Sequence, residues 1–230
     1  MDYKKKYLKY KNKYVNIKNQ LGGRINLITE LKNIYPTCQY DKNILTSKYI
    51  DHKITYGEME YDGLDELIQY LNNNNINNYT SFIDIGSGRG KLCIYMLKYS
   101  NIQKSIGIEI VEERHEDAVN LKNTLISNPN INTELLNNII FLNNNIFDVN
   151  FLDHINDNDI PLIWFSNLCF DITKSDEIYK KLIKDLPNET IICSSKKPRL
   201  TDNLEEIGII PIRMSWNDIS NVYCYKINKI

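Results

Sequence analysis

The sequence predicts an α/β fold, in which a mostly parallel sheet of seven strands is covered by helices on both faces. Short apolar runs typical of buried strands alternate with helical segments from residue 80 to residue 194, and such alternation is typical of parallel sheets. Two adjacent strand-like runs end the chain without a helix between them, which predicts an antiparallel edge. A length of 230 residues, 42% of them hydrophobic, suits one such domain with an extension.

Residues 1–23 predict a basic amphipathic helix at the start of the chain. Tyrosine and aliphatic side chains recur at alternating spacings of four and three residues, which places them on one stripe of a helix. Gly22 and Gly23 would end it. Lysines cover its other faces, against the single acid Asp2: Lys4, Lys5, Lys6, Lys9, Lys11, Lys13 and Lys18. This opening resembles the lysine- and tyrosine-rich openings of many giant DNA virus proteins.

Residues 24–78 predict a helical lead-in to the sheet. A helix over 25–35 would stop before Pro36, because proline cannot continue a helix, and residues 37–57 look irregular. Tyr61–Leu71 is helical in pattern, with four aliphatic residues on one face. The asparagine-rich stretch 72–78 is predicted to be a loop without function of its own.

Residues 79–230 predict the sheet itself. The predicted helices are Lys91–Tyr99, Glu113–Ile126 and Ser175–Leu186. The predicted strands are Thr80–Ile85, Ser105–Ile110, Ile139–Leu142, Pro161–Phe165, Thr190–Ser194, Ile209–Ser215 and Asn221–Ile227. This is the element order of a class I methyltransferase, a Rossmann-like fold whose sheet has seven strands.

Composition and charge narrow the function classes. The five cysteines form no CxxC pair, which argues against a zinc site, and we expect no metal. An odd number of widely spaced cysteines suits free thiols in a reducing compartment. No apolar run reaches the length of about 18 residues that a membrane span needs, and no secretory leader is evident. We therefore expect an intracellular protein, nuclear or cytoplasmic, in a host cell or a virion.

The stretch "FIDIGSGRGK", residues 82–91, joins the first strand to the next helix. Its alternating glycines allow a close approach of backbone and ligand, and ligands of such sheets bind at the carboxyl ends of the strands. The pattern DxGxGxG differs from the GxGxxG fingerprint of dinucleotide sites. Asp84 stands where it would face a ligand ammonium group.

A second acid, Glu109, ends the next strand, where a carboxylate can accept both hydroxyls of a ribose. An acid, a glycine loop and a second acid at the next strand end together indicate an S-adenosylmethionine site. The alternative is a tight strand-to-helix turn in a domain without a cofactor.

Several separated motifs resemble the disruptor of telomeric silencing (DOT) family of histone-lysine methyltransferases, which lack a SET domain. The fourth strand is followed by "SNLCF" without the Pro-Pro pair typical of adenine methyltransferases. Instead "TYGE" at 55–58 is similar to the family's cofactor-covering loop, and "FIDIGSGRGK" and "IGIEIVEERHEDA" to its next two motifs. "IWFSNLCF", "CSSKKP" and "SWNDISNVYCY" resemble its remaining motifs in the same order.

The resemblance implies a role for individual residues. The residues implied to bind the cofactor are Tyr56, Glu58, Asp84, Gly86, Gly88, Lys91, Glu109, Asn145 and Ile146. Asn145 takes the place of an acid that normally binds the adenine amino group. The residues implied to line the channel for the target lysine are Ser166, Asn167, Phe170, Trp216 and Tyr223, with Ser166 standing where the family often has asparagine. Core packing is the alternative for Phe170, Trp216 and Tyr223.

The chemistry implied is methyl transfer to a neutral amine. An aromatic, apolar channel disfavours the charged ammonium form of lysine and lowers its pKa, and alignment supplies much of the rate. Three functions stay open: a histone-directed lysine methyltransferase, a methyltransferase for RNA or a non-histone protein, and an inactive cofactor-binding interaction module. The basic helix would either contact nucleosomal DNA or pack on the domain or on a second copy.

Overall fold

A computed structural model describes residues 27–36, 46–49, 54–97, 101–129, 131, 133–200 and 202–229. The predicted basic helix 1–23 lies outside these residues. No helix in the described part of the chain has the length and apolarity that a membrane crossing requires.

One seven-stranded mixed sheet organises the domain, in the order β3-β2-β1-β4-β5-β7-β6. The first five strands run parallel, and β7 is inserted antiparallel between β5 and β6. The strands are β1 Ser81–Ile85, β2 Lys104–Glu109, β3 Ile139–Asn143, β4 Pro161–Phe165, β5 Ile191–Ser194, β6 Leu204–Met214 and β7 Asn217–Ile227. The class I methyltransferase sheet with its antiparallel edge is thereby confirmed.

In the described part of the chain, five α-helices cover the sheet on its two faces. They are α1 over 27–34, α2 Tyr61–Asn73, α3 Lys91–Met96, α4 Glu112–Ile126 and α5 Ile172–Asp185. Apolar side chains of α1 to α4 form one core with Phe82 and Trp164. Apolar side chains of α5 form a second core on the other face with Ile83 and Ile163. Because β1 contributes alternate side chains to the two cores, the sheet is buried on both sides.

Element boundaries differ from the sequence-based prediction chiefly at three places. Helix α5 begins at Ile172 because Asp171 caps it, with Oδ1 accepting the Lys174 N–H at 2.8 Å. Strand β6 begins at Leu204, five residues early, because exposed Glu205 and Glu206 are tolerated on an edge strand. Strand β7 begins at Asn217, so the final hairpin is longer than the apolar pattern indicates.

The tip of the β6–β7 hairpin contacts the segment before α2. Met59 pairs with Met214 in an antiparallel bridge, the Ser215 N–H donates to the Glu58 carbonyl at 2.8 Å, and the Glu58 N–H donates to Ser215 Oγ at 3.0 Å. A methyl group added to Gly57 would lie 2.5 Å from Trp216 Cε3. The hairpin tip and the "TYGE" segment are therefore packed directly against each other.

Candidate active site

A cavity of about 730 Å³ lies at the carboxyl ends of β1 to β4. The sequence-predicted site residues that line it are Tyr56, Gly86, Glu109, Asn145, Ile146, Ser166, Phe170 and Trp216. Further lining residues are Ile54, Thr55, Gly57, Ile85, Ile108, Ile110, Arg114, Asn144, Phe147, Leu168, Cys169, Asp171, Lys174 and Ile178. A cavity of this size at this edge of an α/β sheet is where a small-molecule cofactor is expected.

The glycine loop has a conformation that suits glycine, and Gly86 lines the cavity, whereas Asp84, Gly88 and Gly90 do not. Gly86, Gly88 and Gly90 have φ angles of 79°, 53° and 75°, which other residues rarely adopt. A methyl group added to Gly86 would meet nothing within 4 Å, whereas one added to Gly88 would lie 2.4 Å from Tyr56 Cε2. The backbone at Gly86 is therefore open to a ligand, and Tyr56 lies directly on Gly88.

Glu109 is buried at the end of β2, with 4% of its surface exposed, and its carboxylate is fixed by the backbone. The Gly88 N–H donates to Oε2 and the Val111 N–H to Oε1, each at 2.8 Å. Burial raises the pKa of Glu109, while the Val111 N–H and the Arg114 guanidinium oppose this rise. Since a carboxylate has about four acceptor sites, Glu109 retains capacity for the hydroxyls of a ribose.

Asp84 is a buried carboxylate at the end of β1, and the charge of Lys91 acts on it. Only 3% of its surface is exposed, and Oδ1 has no hydrogen-bond partner among the described residues. Burial raises the pKa of Asp84 well above its usual range, and the charges of Glu109 and Glu58 raise it further. An unsatisfied buried carboxylate beside a glycine loop fits a ligand that carries an ammonium group.

Replacing Asp84 with asparagine is expected to stabilise the unliganded protein and to weaken cofactor binding. The raised pKa means that the stability contribution of Asp84 is present below the unfolded pKa of about 3.9 and is lost as the pH rises through the folded pKa. The asparagine variant should therefore melt above the wild type near neutral pH and close to it in acid. Thermal unfolding at both pH values, with titration of S-adenosylhomocysteine, measures both effects. A variant that binds cofactor as the wild type does would remove Asp84 from the site.

Glu58 and Lys91 form a buried ion pair behind Tyr56 and do not line the cavity. Lys91 Nζ lies 2.5 Å from Glu58 Oε2, with 2% and 6% of the two side chains exposed. Glu58 Oε1 accepts from the Tyr35 hydroxyl at 2.6 Å and from the Tyr56 hydroxyl. Tyr56, which lines the cavity, is therefore held in place by this buried pair.

Ser166 and Phe170, which follow β4, and Trp216, at the hairpin tip, also line the cavity. The Phe170 ring packs edge-on against Phe165 with centroids 5.3 Å apart. Trp216 is 39% exposed. This part of the lining is therefore aromatic, with Ser166 as a small polar group and with the charged Asp171 and Lys174 following Phe170 in the chain.

Two predicted channel residues are not among the described residues that line the cavity. Asn167 is 1% exposed and binds the backbone of Lys196, accepting its N–H at 2.7 Å and donating to its carbonyl at 3.3 Å. It thereby ties the loop after β4 to the loop after β5. Tyr223 is half-buried on β7, opposite Ser194 and Ile209, and its role in the reaction stays a prediction.

The adenine end of the predicted cofactor site lies after β3. Asn145 Oδ1 accepts the Phe147 N–H at 3.1 Å, so the amide oxygen is partly used in shaping the turn. The Ile146 side chain is buried beneath the same wall of the cavity. An amide at this place offers both an acceptor and a donor to a purine edge.

Sequence analysis missed two residues that shape the site. The Arg114 guanidinium lies 4.7 Å from the centroid of the Tyr56 ring and donates to the Ile54 carbonyl. Tyr35 contributes its hydroxyl to Glu58 from just after α1. The position of Arg114 could have been predicted, because the first turn of α4 follows the carboxyl end of β2. The contact of Tyr35 could not, since it depends on how α1 packs.

Comparison with known proteins gives a family and a fold. The profile of the family described as "Histone methylation protein DOT1" matches residues 38–210. A search of curated proteins found no match. Similar solved structures include a putative methyltransferase of Escherichia coli, 14% identical, with a TM-score of 0.53 over 74% of this chain and 89% of that one. The N-methyltransferase NodS of Bradyrhizobium japonicum is 11% identical, with a TM-score of 0.51 over 74% and 99%.

Proposed function

Because the chain belongs to the histone methylation protein DOT1 family and has the fold of a class I S-adenosylmethionine-dependent methyltransferase, we propose that it methylates a lysine of a core histone in nucleosomes. The observation that carries the proposal is the lining of the cavity. Gly86 and the buried Glu109 line it together with Ser166, Phe170 and Trp216, and the buried Asp84 stands two residues before Gly86.

The cofactor of this class, S-adenosylmethionine, supplies a methyl group on a positively charged sulfur. Glu109 would accept the ribose hydroxyls, Asp84 would face the ammonium group, and Asn145 and Ile146 would hold the adenine. Gly86 leaves room for the ligand because nothing would contact a side chain there. Tyr56, fixed by Glu58 and lying on Gly88, would cover the bound cofactor.

The chain would also select a neutral amine. Phe170, Trp216 and Leu168 contribute apolar surface to the cavity, which disfavours an ammonium and favours loss of its proton before transfer. The aromatic side chains would also align the amine with the methyl group, and alignment is a large share of such catalysis. Tyr223 is proposed to complete this channel when substrate is bound.

The acceptor is tested by incubating the protein with methyl-labelled cofactor and three substrates side by side: nucleosomes, free histones and RNA. We expect label on histone protein, with nucleosomes as the better substrate. Label on RNA would favour the alternative function of an RNA methyltransferase on the same fold. Cofactor binding without label on any acceptor would favour an interaction module that has lost turnover.

We also propose that the lysine-rich segment 1–23 contacts nucleosomal DNA. Each lysine that neutralises a phosphate releases counterions, so such binding weakens as salt rises. Deleting residues 1–23 should lower activity on nucleosomes and flatten the salt dependence of nucleosome binding, while activity on free histone changes little. Full-length and truncated protein are compared on nucleosomes at two salt concentrations. Equal affinities and equal salt slopes would leave this segment as a packing or self-association surface.

A further inference from the structure

Three consecutive residues in the first turn of α4 contact residues that precede α2. One of these contacts holds residues 54–57, the covering segment, which lines the cavity. Lys48 Nζ lies 3.2 Å from a Glu112 oxygen, and the Tyr49 hydroxyl donates to Glu113 at 3.1 Å. The Arg114 guanidinium donates to the Ile54 carbonyl. The Lys48–Glu112 pair is about half exposed on both sides, whereas Arg114 is only 4% exposed. The buried tie is therefore the one least screened by water.

Arg114 also contacts the group that covers the glycine loop. Its Cζ lies 4.7 Å from the centroid of the Tyr56 ring, and Arg89 Cζ lies 5.2 Å from the same centroid. A guanidinium over an aromatic ring is attracted to its electron-rich face. Arg89 pairs with Asp117 at 2.8 Å, whereas Arg114 donates to the Ile54 carbonyl. The two arginines therefore share the ring, and each has a different further partner.

The third contact of Arg114 is electrostatic and reaches Glu109. Its positive charge lowers the pKa of Glu109, opposing the rise that burial causes. The negative charge of Asp84, on β1, acts on this carboxylate in the opposite sense, and the buried pair of Glu58 and Lys91 acts on Asp84 in turn. The N–H groups of Gly88, Ile110 and Val111 also lower the pKa of Glu109. Replacing Arg114 with a neutral residue would remove a positive charge that acts on Glu109 directly.

We infer that Arg114 is a positioning residue for the cofactor, which holds the covering segment 54–57 closed through Ile54 and Tyr56 and supplies a positive charge that acts on the Glu109 carboxylate. The inference rests on the proposed use of the cavity as an S-adenosylmethionine site. It does not depend on the identity of the methyl acceptor.

Holding Ile54 and Tyr56 requires the planar guanidinium, whereas the effect on Glu109 requires only a positive charge. Arg114→Lys keeps the charge and loses the planar group with its several N–H donors, whereas Arg114→Met loses both. Both variants should show faster hydrogen exchange at the amides of residues 54–58 in the unliganded protein. Arg114→Met should bind S-adenosylhomocysteine about 10- to 100-fold more weakly near neutral pH.

The pH profile separates positioning from a general loss of structure. Without the positive charge of Arg114, the Glu109 carboxylate should take up a proton at a higher pH than in the wild type. Once protonated, it no longer accepts both hydroxyls of the ribose. The affinity of Arg114→Met should therefore begin to fall at a higher pH than that of the wild type as the solution is acidified. Arg114→Lys should keep the wild-type pH profile and show only the change in exchange.

Two matched variants serve as controls. Lys48→Met removes the exposed tie and should leave both the exchange of 54–58 and the affinity near wild type. Arg89→Met removes a cation from the same ring but keeps Arg114 and its hydrogen bond to the Ile54 carbonyl. It should therefore leave the pH profile of cofactor affinity unshifted.

Wild-type exchange at residues 54–58 in both Arg114 variants would overturn the inference, as would an unshifted pH profile in Arg114→Met. If the wild-type protein itself fails to bind S-adenosylhomocysteine, the proposed function fails. The exchange experiment, which needs no cofactor, would then still decide whether Arg114 holds the segment.

Discussion

Replacing Glu109 with alanine is expected to remove most of the affinity for S-adenosylhomocysteine. A buried ribose would lose a charged acceptor, which costs about 1.5–3 kcal/mol for each hydrogen bond. The change would also leave the N–H groups of Gly88 and Val111 without their 2.8 Å partners. We therefore expect a loss of affinity of at least a hundredfold, together with a lower melting temperature.

The variant Glu109→Gln separates the loss of cofactor affinity from the loss of stability. Its oxygen can still accept one backbone N–H, but its NH₂ group meets the other as a second donor. Glu109→Gln should fold better than Glu109→Ala and still bind weakly in a calorimetric titration. Glu113→Ala, which changes a partly exposed acid four residues further on, in α4, is the control. An unchanged dissociation constant in a folded Glu109→Ala variant would show that this carboxylate does not hold the cofactor.

Breaking the buried pair of Glu58 and Lys91 is expected to have the largest effect on stability. The pair lies at 2.5 Å with both side chains almost fully buried, so removing one member leaves an uncompensated charge. Such losses cost about 3–5 kcal/mol. Lys91→Met should therefore unfold at a clearly lower denaturant concentration, and Tyr56 should lose part of its support because Glu58 would no longer be fixed.

A double variant tests whether the cost comes from the orphaned charge. Glu58→Gln with Lys91→Met should be more stable than the sum of the single changes predicts, because no buried charge remains. Lys48→Met, which breaks an exposed pair, should cost at most about 1 kcal/mol. If each single change at the buried pair also costs under 1 kcal/mol in denaturant titrations, the pair does not hold the covering segment in place.

The parts of the site that could be predicted from sequence are those fixed by the strands. Asp84 and Glu109 follow or end apolar runs, and the carboxyl ends of parallel strands meet at one edge, so their convergence follows from chain order alone. The glycine pattern also predicts backbone conformations with positive φ angles, which Gly86, Gly88 and Gly90 adopt. The fold class, with its antiparallel final hairpin, could be predicted for the same reason.

The parts that could not be predicted depend on packing between segments far apart in the chain. The sequence predicts Glu58 and Lys91 at the cofactor but does not predict that they pair with each other behind Tyr56. It predicts Asn167 at the channel but does not predict that its side chain binds the backbone of Lys196. Neither pairing has a local signature. The family motif marks such residues without saying which of them reach the ligand.

The central claim is that this cavity transfers a methyl group from S-adenosylmethionine to a histone lysine. Its most direct test is peptide mass spectrometry of nucleosomal histones after incubation with cofactor and either wild-type protein or Glu109→Ala. We predict methylation localised to a lysine ε-amino group with the wild type, and strongly reduced modification with the variant. Unmodified histones under conditions where the wild-type protein binds cofactor, or equal methylation by both proteins, would contradict the account.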